Sequence, residues 1–280
     1  MLFSIITPSH RNSAWLKLCV ASVADQRVEL EHIVQDARSD DGTLDWLCAD
    51  PRVQAFVEAD GGMYDAINRG LHRARGEILA YLNCDEQYLP GALLAVRDYF
   101  SSHPQVDLVF ADFVVVNAQG EYLFHRKVQV PLLYHLWVSH LPAFSCGMFF
   151  RRRLIQQEGI FFDPRFRVVG DGEWVLRLLR RKTAMGVLRR FTSVFTLRDT
   201  NLGLSETARR EAQALNATAP AWARTFKPLL VLQHRLRRLA GGIYFQRPFS
   251  FSLYTTQSLE QRVPREVKHP RTRWRNQFRD

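Results

Sequence analysis

Residues 59–87 read ADGGMYDAINRGLHRARGEILAYLNCDEQ, and the order of residue types in this stretch decides the fold class. Gly61 and Gly62 open it with a tight turn of the kind that needs positive φ. Ala66, Ile67, Gly70, Leu71 and Ala74 then recur at helical spacing on one face. Gly76 stands where a helix C-cap is expected. Residues 78–82, ILAYL, are an apolar run of buried-strand length, and Asn83, Cys84, Asp85 and Glu86 emerge at its carboxyl end. Open α/β sheets bind their ligands at that end.

The chain before this stretch repeats the same alternation. Residues 2–7 form an apolar strand stopped at Pro8, and the polar SHRNS that follows offers Asn12 or Ser13 as the N-cap of a helix over about residues 14–26. Residues 30–35 make a second strand ending in Asp36, then come the loop ARSDDGT, a short helix near 44–49 and a third strand at 52–57. Strand and helix in strict alternation predict a parallel sheet wound by right-handed crossovers. After Pro90 the pattern loosens to a helix at 92–100, a strand at 106–110, and a hairpin of 114–117 with 121–125. A strand at 146–150, a short helix at 151–157 closed by Gly159, a helix beginning at Asp171 and a strand at 184–196 complete the body. Residues 205–240 read as two helices broken near Pro220, and the chain beyond Gly241 as aromatic, basic and irregular.

Composition bounds the function. A chain of 280 residues with 46% hydrophobic content builds a sizeable core. It has no apolar run near the roughly 18 residues of a membrane span, and MLFSIITPSHR lacks the basic and apolar regions of a signal peptide. A cytoplasmic protein is expected. Cys19, Cys48, Cys84 and Cys146 are too scattered for a zinc site and read as reduced, mostly buried thiols. The net charge of +10 is local: residues 221–280 hold 13 Lys and Arg against 3 Asp and Glu, which leaves the body neutral. A nucleic-acid partner is therefore not expected, because the body has neither a basic face nor a stacking motif.

Three strands deliver polar residues to one sheet edge, at Thr7-Pro8, at Asp36 and at Asn83 to Glu86. A carboxylate at Asp36 suits a base or ribose, and Asp85 with Glu86 offers hard oxygen ligands to a divalent cation. An acidic residue after a strand also serves as a loop or helix cap, so only their joint placement is informative. Asp171 has the same double reading, since Asp at a helix start is both a good N-cap and a carboxylate that the helix dipole stabilises.

The segments SIITPSHRNSAWLKLCVASVADQ, HIVQDARSDDGT, DGGMYDAINRGLHRARGEILAYLNCDE and FFRRRLIQQEGIFFDPRFRVVGDGEWVLRLLRR, in this order over residues 2–180, resemble family 2 glycosyltransferases of the GT-A fold, in particular those of bacterial surface-polysaccharide assembly. The resemblance implies a Rossmann-like, mostly parallel sheet flanked by helices, with a transferase domain over 1–204 and a helical, basic extension over 205–280. Within the domain, a donor half would cover about 1–90 and an acceptor half about 91–204.

It further implies an inverting transfer from a nucleotide-diphosphate sugar, a UDP-sugar foremost, to a hydroxyl of a glycan or lipid-linked acceptor, assisted by Mn²⁺ or Mg²⁺. Thr7, Pro8 and Asp36 would meet the nucleotide, with Asn83 and Asp85 in the DxD-like motif. Asp85 and Glu86 would hold the metal, and Asp171 would be the catalytic base with Glu173 as runner-up. Two positions depart from the family pattern: Asn83 replaces the first acidic residue, and Glu86 is one methylene longer than the usual Asp. Asp65, at the helix start beside the donor edge, either touches the donor or caps the helix. His140 either lines the acceptor pocket or packs in a loop. Leu229, Leu232, Leu236 and Leu239, interleaved with arginines, make an amphipathic basic helix; residues 226–253 thus either lie on an anionic membrane at its inner face or fold on the body or a second subunit. The alternative functions are a nucleotide-sugar-binding protein without turnover and, more remotely, nucleic-acid binding through the basic tail.

Overall fold

The computed structural model describes residues 1–199 and 201–272. Its first half has the expected alternation. Strands β1 (Phe3–Ser9), β2 (Leu30–Asp36), β3 (Gln54–Val57) and β4 (Ile78–Tyr81) lie parallel in the order β3-β2-β1-β4. They are connected by α1 (Ser13–Ala24), α2 (Leu44–Leu47) and α3 (Met63–Arg73). All seven residues of β1 are buried, as expected of a central strand covered by helices on both faces. Helix α3 turns Tyr64, Ala66, Ile67, Gly70 and Leu71 inward, so the 3.6-residue spacing is used as read.

The sheet continues with mixed polarity. After β5 (Glu86–Tyr88) and α4 (Ala92–Ser102), the chain lays down β6 (Leu108–Val116) and β7 (Tyr122–Arg126), then α5 (Leu133–Val138), β8 (Met148–Arg151) and α6 (Arg153–Gln156). Helix α7 (Gly170–Arg180) and strand β9 (Met185–Thr196) follow. The path runs β3-β2-β1-β4-β8-β6-β9-β5, with β7 on β6. Strands β4 and β8 pair antiparallel, whereas β6 and β9 pair parallel. Both edges of the parallel half therefore point their carboxyl ends toward one side of the molecule.

Several local expectations are corrected. Of the two turn glycines only Gly62 has positive φ, at 118°. Gly76 does not cap α3, because the helix ends at Arg73 with Ala74 extended behind it. A Cβ at Gly76 would lie 2.5 Å from the backbone nitrogen of Ser4, so the close pass against β1 requires the glycine. The expected strands at 106–110 and 114–117 are one strand, β6, held continuous by β9 along its whole length.

The C-terminal segment is more ordered than its composition suggests. Helices α8 (Glu206–Ala217), α9 (Ala221–Thr225) and α10 (Lys227–Ala240) are followed by an antiparallel hairpin of β10 (Phe249–Thr255) and β11 (Ser258–Val267). The alternation Phe-Ser-Phe-Ser-Leu in β10 is a strand signal that turns Phe251 and Leu253 against Val114, Val116 and Val194. The Gln87 amide donates to the Tyr254 carbonyl and accepts from its N–H, both at 2.9 Å, and Arg262 pairs with Asp25 at 2.6 Å. Within the tail beyond 241, residues 249–267 are thus a hairpin packed on the body, and residues 273–280 lie outside the described residues. All four cysteines are free, and only Cys48 is exposed.

Candidate active site

A cavity of about 980 Å³ opens at the carboxyl ends of β1 and β4. One wall comes from the loop after β1, Pro8 to Asn12, and another from Gly61, Gly62 and Tyr64 at the start of α3. Asn83 and Asp85 form the floor beyond β4, Asp171 enters from α7, and Arg198 from the segment after β9. The 85 to 171 pairing across one cavity is long-range in sequence, and the sheet topology creates it.

The acidic edge divides. Asp85 keeps its carboxylate in the cavity and pairs with Arg198 Nη2 at 3.0 Å. Burial pushes its pKa up, and the arginine opposes that rise. Asn83 donates its side-chain amide to Ser145 Oγ at 3.4 Å, while its Oδ1 is a buried acceptor without a hydrogen-bond partner. Glu86 goes the other way. It is the first residue of β5, fully buried, and its two carboxyl oxygens accept from the Asn83 N–H at 2.9 Å and from Ser145 Oγ at 3.3 Å. Burial, with the charge of Asp85 adding to it, lifts Glu86 to about 8, so it is largely the neutral acid at pH 7. Glu86 as partner of Asp85 on a metal does not fit this placement, because strand pairing to β9 turns its side chain beneath the floor.

Asp171 is half-buried in the first turn of α7 and lines the cavity. The N–H of Gly172 donates to its Oδ1 at 2.7 Å. Tyr64, from the stretch that decides the fold, contacts the same oxygen at 3.5 Å, accepts from the Asp171 N–H at 3.0 Å and donates to the Val168 carbonyl at 2.8 Å. Burial raises Asp171 to about 6, and these hydrogen bonds hold it from rising further. A carboxylate that titrates just below neutrality is well matched to proton removal.

The other expected residues have different surroundings. Pro8 lines the cavity, but Thr7 points into the core and shares a 2.9 Å hydrogen bond with His32 Nε2. Asp36 is fully buried, with its oxygens accepting from Ser39 N–H at 2.7 Å and Ser39 Oγ at 2.8 Å, an arrangement that folds the loop after β2. Asp65 does not line the cavity; it accepts from Gly61 N–H at 2.7 Å and Arg69 at 2.9 Å and so secures the glycine turn.

The two weaker acceptor candidates are also displaced. Glu173, two residues past Asp171, pairs with Arg177 at 2.7 Å outside the cavity. His140 lies at the junction of α5 and α10, with its ring centroid 5.2 Å from that of His135. Neither reaches the space between Asp85 and Asp171.

Arg198 is the residue that sequence reading missed. Its guanidinium donates to Asp85 and to the side-chain Oδ1 of Asn12, the latter at 3.3 Å, and lies 4.8 Å from the centroid of the Trp15 ring. The rule applied to the other strands, that polar residues just past a carboxyl end face the ligand, would have found it two residues after β9.

A Rossmann-like sheet with a cavity at its carboxyl edge is the arrangement of the GT-A fold, which solved structures of that fold share. Residues 1–349 of Staphylococcus aureus TarS, solved in complex with UDP-GlcNAc, superpose with a TM-score of 0.60 over 86% of this chain and 73% of that fragment at 18% identity. The mannosyltransferase PcManGT from Pyrobaculum calidifontis, in complex with GDP-Man and Mn²⁺, gives 0.54 over 86% and 79% at 16% identity.

The chain belongs to Glycosyl transferase family 2, whose sequence model matches residues 4–159. A "PGL/p-HBAD biosynthesis glycosyltransferase" of Mycobacterium bovis is 29% identical over 187 residues, which cover 63% of this chain and 69% of that one. Bacillus subtilis EpsJ, an uncharacterized glycosyltransferase, is 23% identical over 202 residues, 67% of this chain and 58% of its own.

Proposed function

We propose that the protein moves a glycosyl group from a nucleotide-diphosphate sugar, with UDP favoured as the nucleotide, to a hydroxyl of a glycan or lipid-linked acceptor in polysaccharide biosynthesis, with inversion at the anomeric carbon. The observation that carries this reading is the facing of Asp85 and Asp171 across one cavity large enough for a sugar nucleotide. The glycosyltransferase names of the relatives and the UDP-GlcNAc and GDP-Man complexes of the fold neighbours support the donor class.

In this reading the nucleotide occupies the Pro8 to Asn12 side and its diphosphate meets the Asn83, Asp85 and Arg198 floor. Asp171 takes the proton from the acceptor hydroxyl as that oxygen bonds to the anomeric carbon and the bond to the diphosphate breaks. Tyr64 and the Gly172 N–H keep the Asp171 carboxylate aimed into the cavity. Arg198 sets positive charge where the leaving diphosphate gains negative charge.

Mn²⁺ or Mg²⁺ is implied by the family, and the floor has donors of the right kind. The unpartnered Asn83 Oδ1 and the Asp85 carboxylate are hard oxygen ligands, enough for an ion that takes its remaining ligands from water and phosphates. No cluster of three His, Cys, Asp or Glu side chains suited to a metal occurs among the described residues. When bound, the ion would neutralise charge on the diphosphate. The test is a panel of nucleotide sugars with Mn²⁺ or Mg²⁺, read as release of nucleoside diphosphate. One donor is expected to give metal-stimulated release; tight binding with no release from any donor would instead define a binding protein without turnover.

A further inference from the structure

Helix α10 is packed inside out. Its inward side packs Leu230 on Val138 and Ala223 but is otherwise polar: His234 and Arg238 are buried, the ring of His234 stacks on His135 of α5 at 3.9 Å, and Arg237 donates to the Val130 carbonyl at 2.6 Å. Its outward side is a leucine stripe, with Leu229, Leu232, Leu236 and Leu239 exposed by 50–59%. A helix that merely packs on its own domain buries such a stripe. Here the polar side is committed to the protein, and turning the helix over would cost the His234 stack and the Arg237 hydrogen bond.

We infer that this leucine face docks on an anionic lipid bilayer. The charge around it selects the occupant. Residues 221–245 contain five Lys and Arg and no Asp or Glu. At 100° per residue Arg235 borders the stripe, and Arg235, Lys227 and Arg224 are exposed. Phe226 at 51% and Phe245 at 70% exposure extend the apolar surface beyond both ends of the helix. Basic residues bordering an apolar stripe are complementary to acidic headgroups above an acyl layer. A second copy of the chain would set two uncompensated basic segments against each other. The 14-residue helix lies in the interface plane, and no helix among the described residues is long and apolar enough to cross a membrane.

The position suits a membrane-borne substrate. Helix α10 packs on α5, and α5 on α7, whose first turn carries Asp171. This last link rests on the transferase reading, whereas the docking itself does not.

Co-sedimentation of the full chain with phosphatidylcholine vesicles, with and without 30% phosphatidylglycerol, tests the inference. The wild type is expected to partition onto the anionic vesicles at least tenfold more than the Leu232→Glu/Leu236→Glu variant, and to lose most of that binding in 0.5 M NaCl. A second variant, Arg224→Gln/Arg235→Gln, changes only exposed side chains and is expected to lose the preference for anionic over neutral vesicles. Circular dichroism and UDP affinity, unchanged in both variants, keep the readout specific to the surface. Equal pelleting of wild type and the leucine variant overturns the inference. So does a wild-type dimer in light scattering that the leucine variant dissolves while neither binds vesicles.

Discussion

Replacing Asp171 with asparagine isolates the proton transfer from everything else the site does. The substitution is isosteric, and Asn Oδ1 can still accept from the Gly172 N–H and contact Tyr64, so the first turn of α7 keeps its shape. What disappears is the carboxylate that α7 contributes to the cavity. General-base catalysis contributes about 10²- to 10⁴-fold, or about 3–5 kcal/mol of barrier. Turnover of Asp171→Asn at pH 7.5 is therefore expected to fall by at least about a hundredfold. Affinity for the nucleoside diphosphate, measured by calorimetry, should stay within about twofold, because Asn83, Asp85 and Arg198 lie on the floor away from the substitution. Asp171 titrates near 6, so wild-type kcat should decline below that pH as the base becomes protonated, and this limb should be missing from the residual activity of the variant. A variant that keeps turnover within threefold of wild type, or retains the limb near pH 6, would refute the base assignment. Parallel loss of nucleotide affinity would show that Asp171 acts on the donor instead.

Three other substitutions probe the surrounding contacts. Tyr64→Phe removes a hydrogen bond that favours the charged form of Asp171, so the acid limb of kcat should move above pH 6; the Asp171 N–H and Val168 carbonyl lose their partner, and urea unfolding should report a loss of about 1–3 kcal/mol. An unmoved limb would leave Tyr64 a purely structural role. Asp85→Ala should weaken metal-stimulated nucleotide binding by tenfold or more in calorimetry with and without Mn²⁺, while a variant with unchanged stimulation by metal would remove Asp85 from the ion's ligands. Glu86 titrates near 8 when folded against an ordinary 4.5, so the folded chain holds this proton longer than the unfolded one and stability falls as pH rises between those values. Glu86→Gln abolishes that dependence, and its stability relative to wild type should climb by up to about 4 kcal/mol from pH 5 to pH 8.5 in urea unfolding; a constant difference across the range would show that Glu86 is not the protonated acid.

The legible parts of this molecule are those written in local pattern. The strands of the parallel half, α3 and its inner face, and the placement of Asp85 and Asp171 at a strand's carboxyl end and a helix start follow from spacing and from the order of residue types. The misread parts each depend on a distant neighbour. Glu86 looks like a metal ligand beside Asp85 until β9 pairs with it and turns its side chain under the floor. Gly76 looks like a helix cap until β1 passes close by it. Thr7 and Asp36 sit at the expected edge, yet His32 and Ser39 occupy their oxygens.

Helix α10 shows the division most clearly. The leucine spacing and the basic charge of α10 can be read directly, since both are properties of order along the chain. Which side of the helix faces the protein depends on His135 and Val130, about a hundred residues upstream, that receive His234 and Arg237. The same holds for the site: residue order along the chain identifies a family 2 glycosyltransferase and its acidic edge, because periodicity and motif are local. The meeting of Tyr64 with Asp171, and of Asp85 with Arg198, exists only once the sheet has closed, because each of these contacts spans more than a hundred residues and no local pattern encodes it.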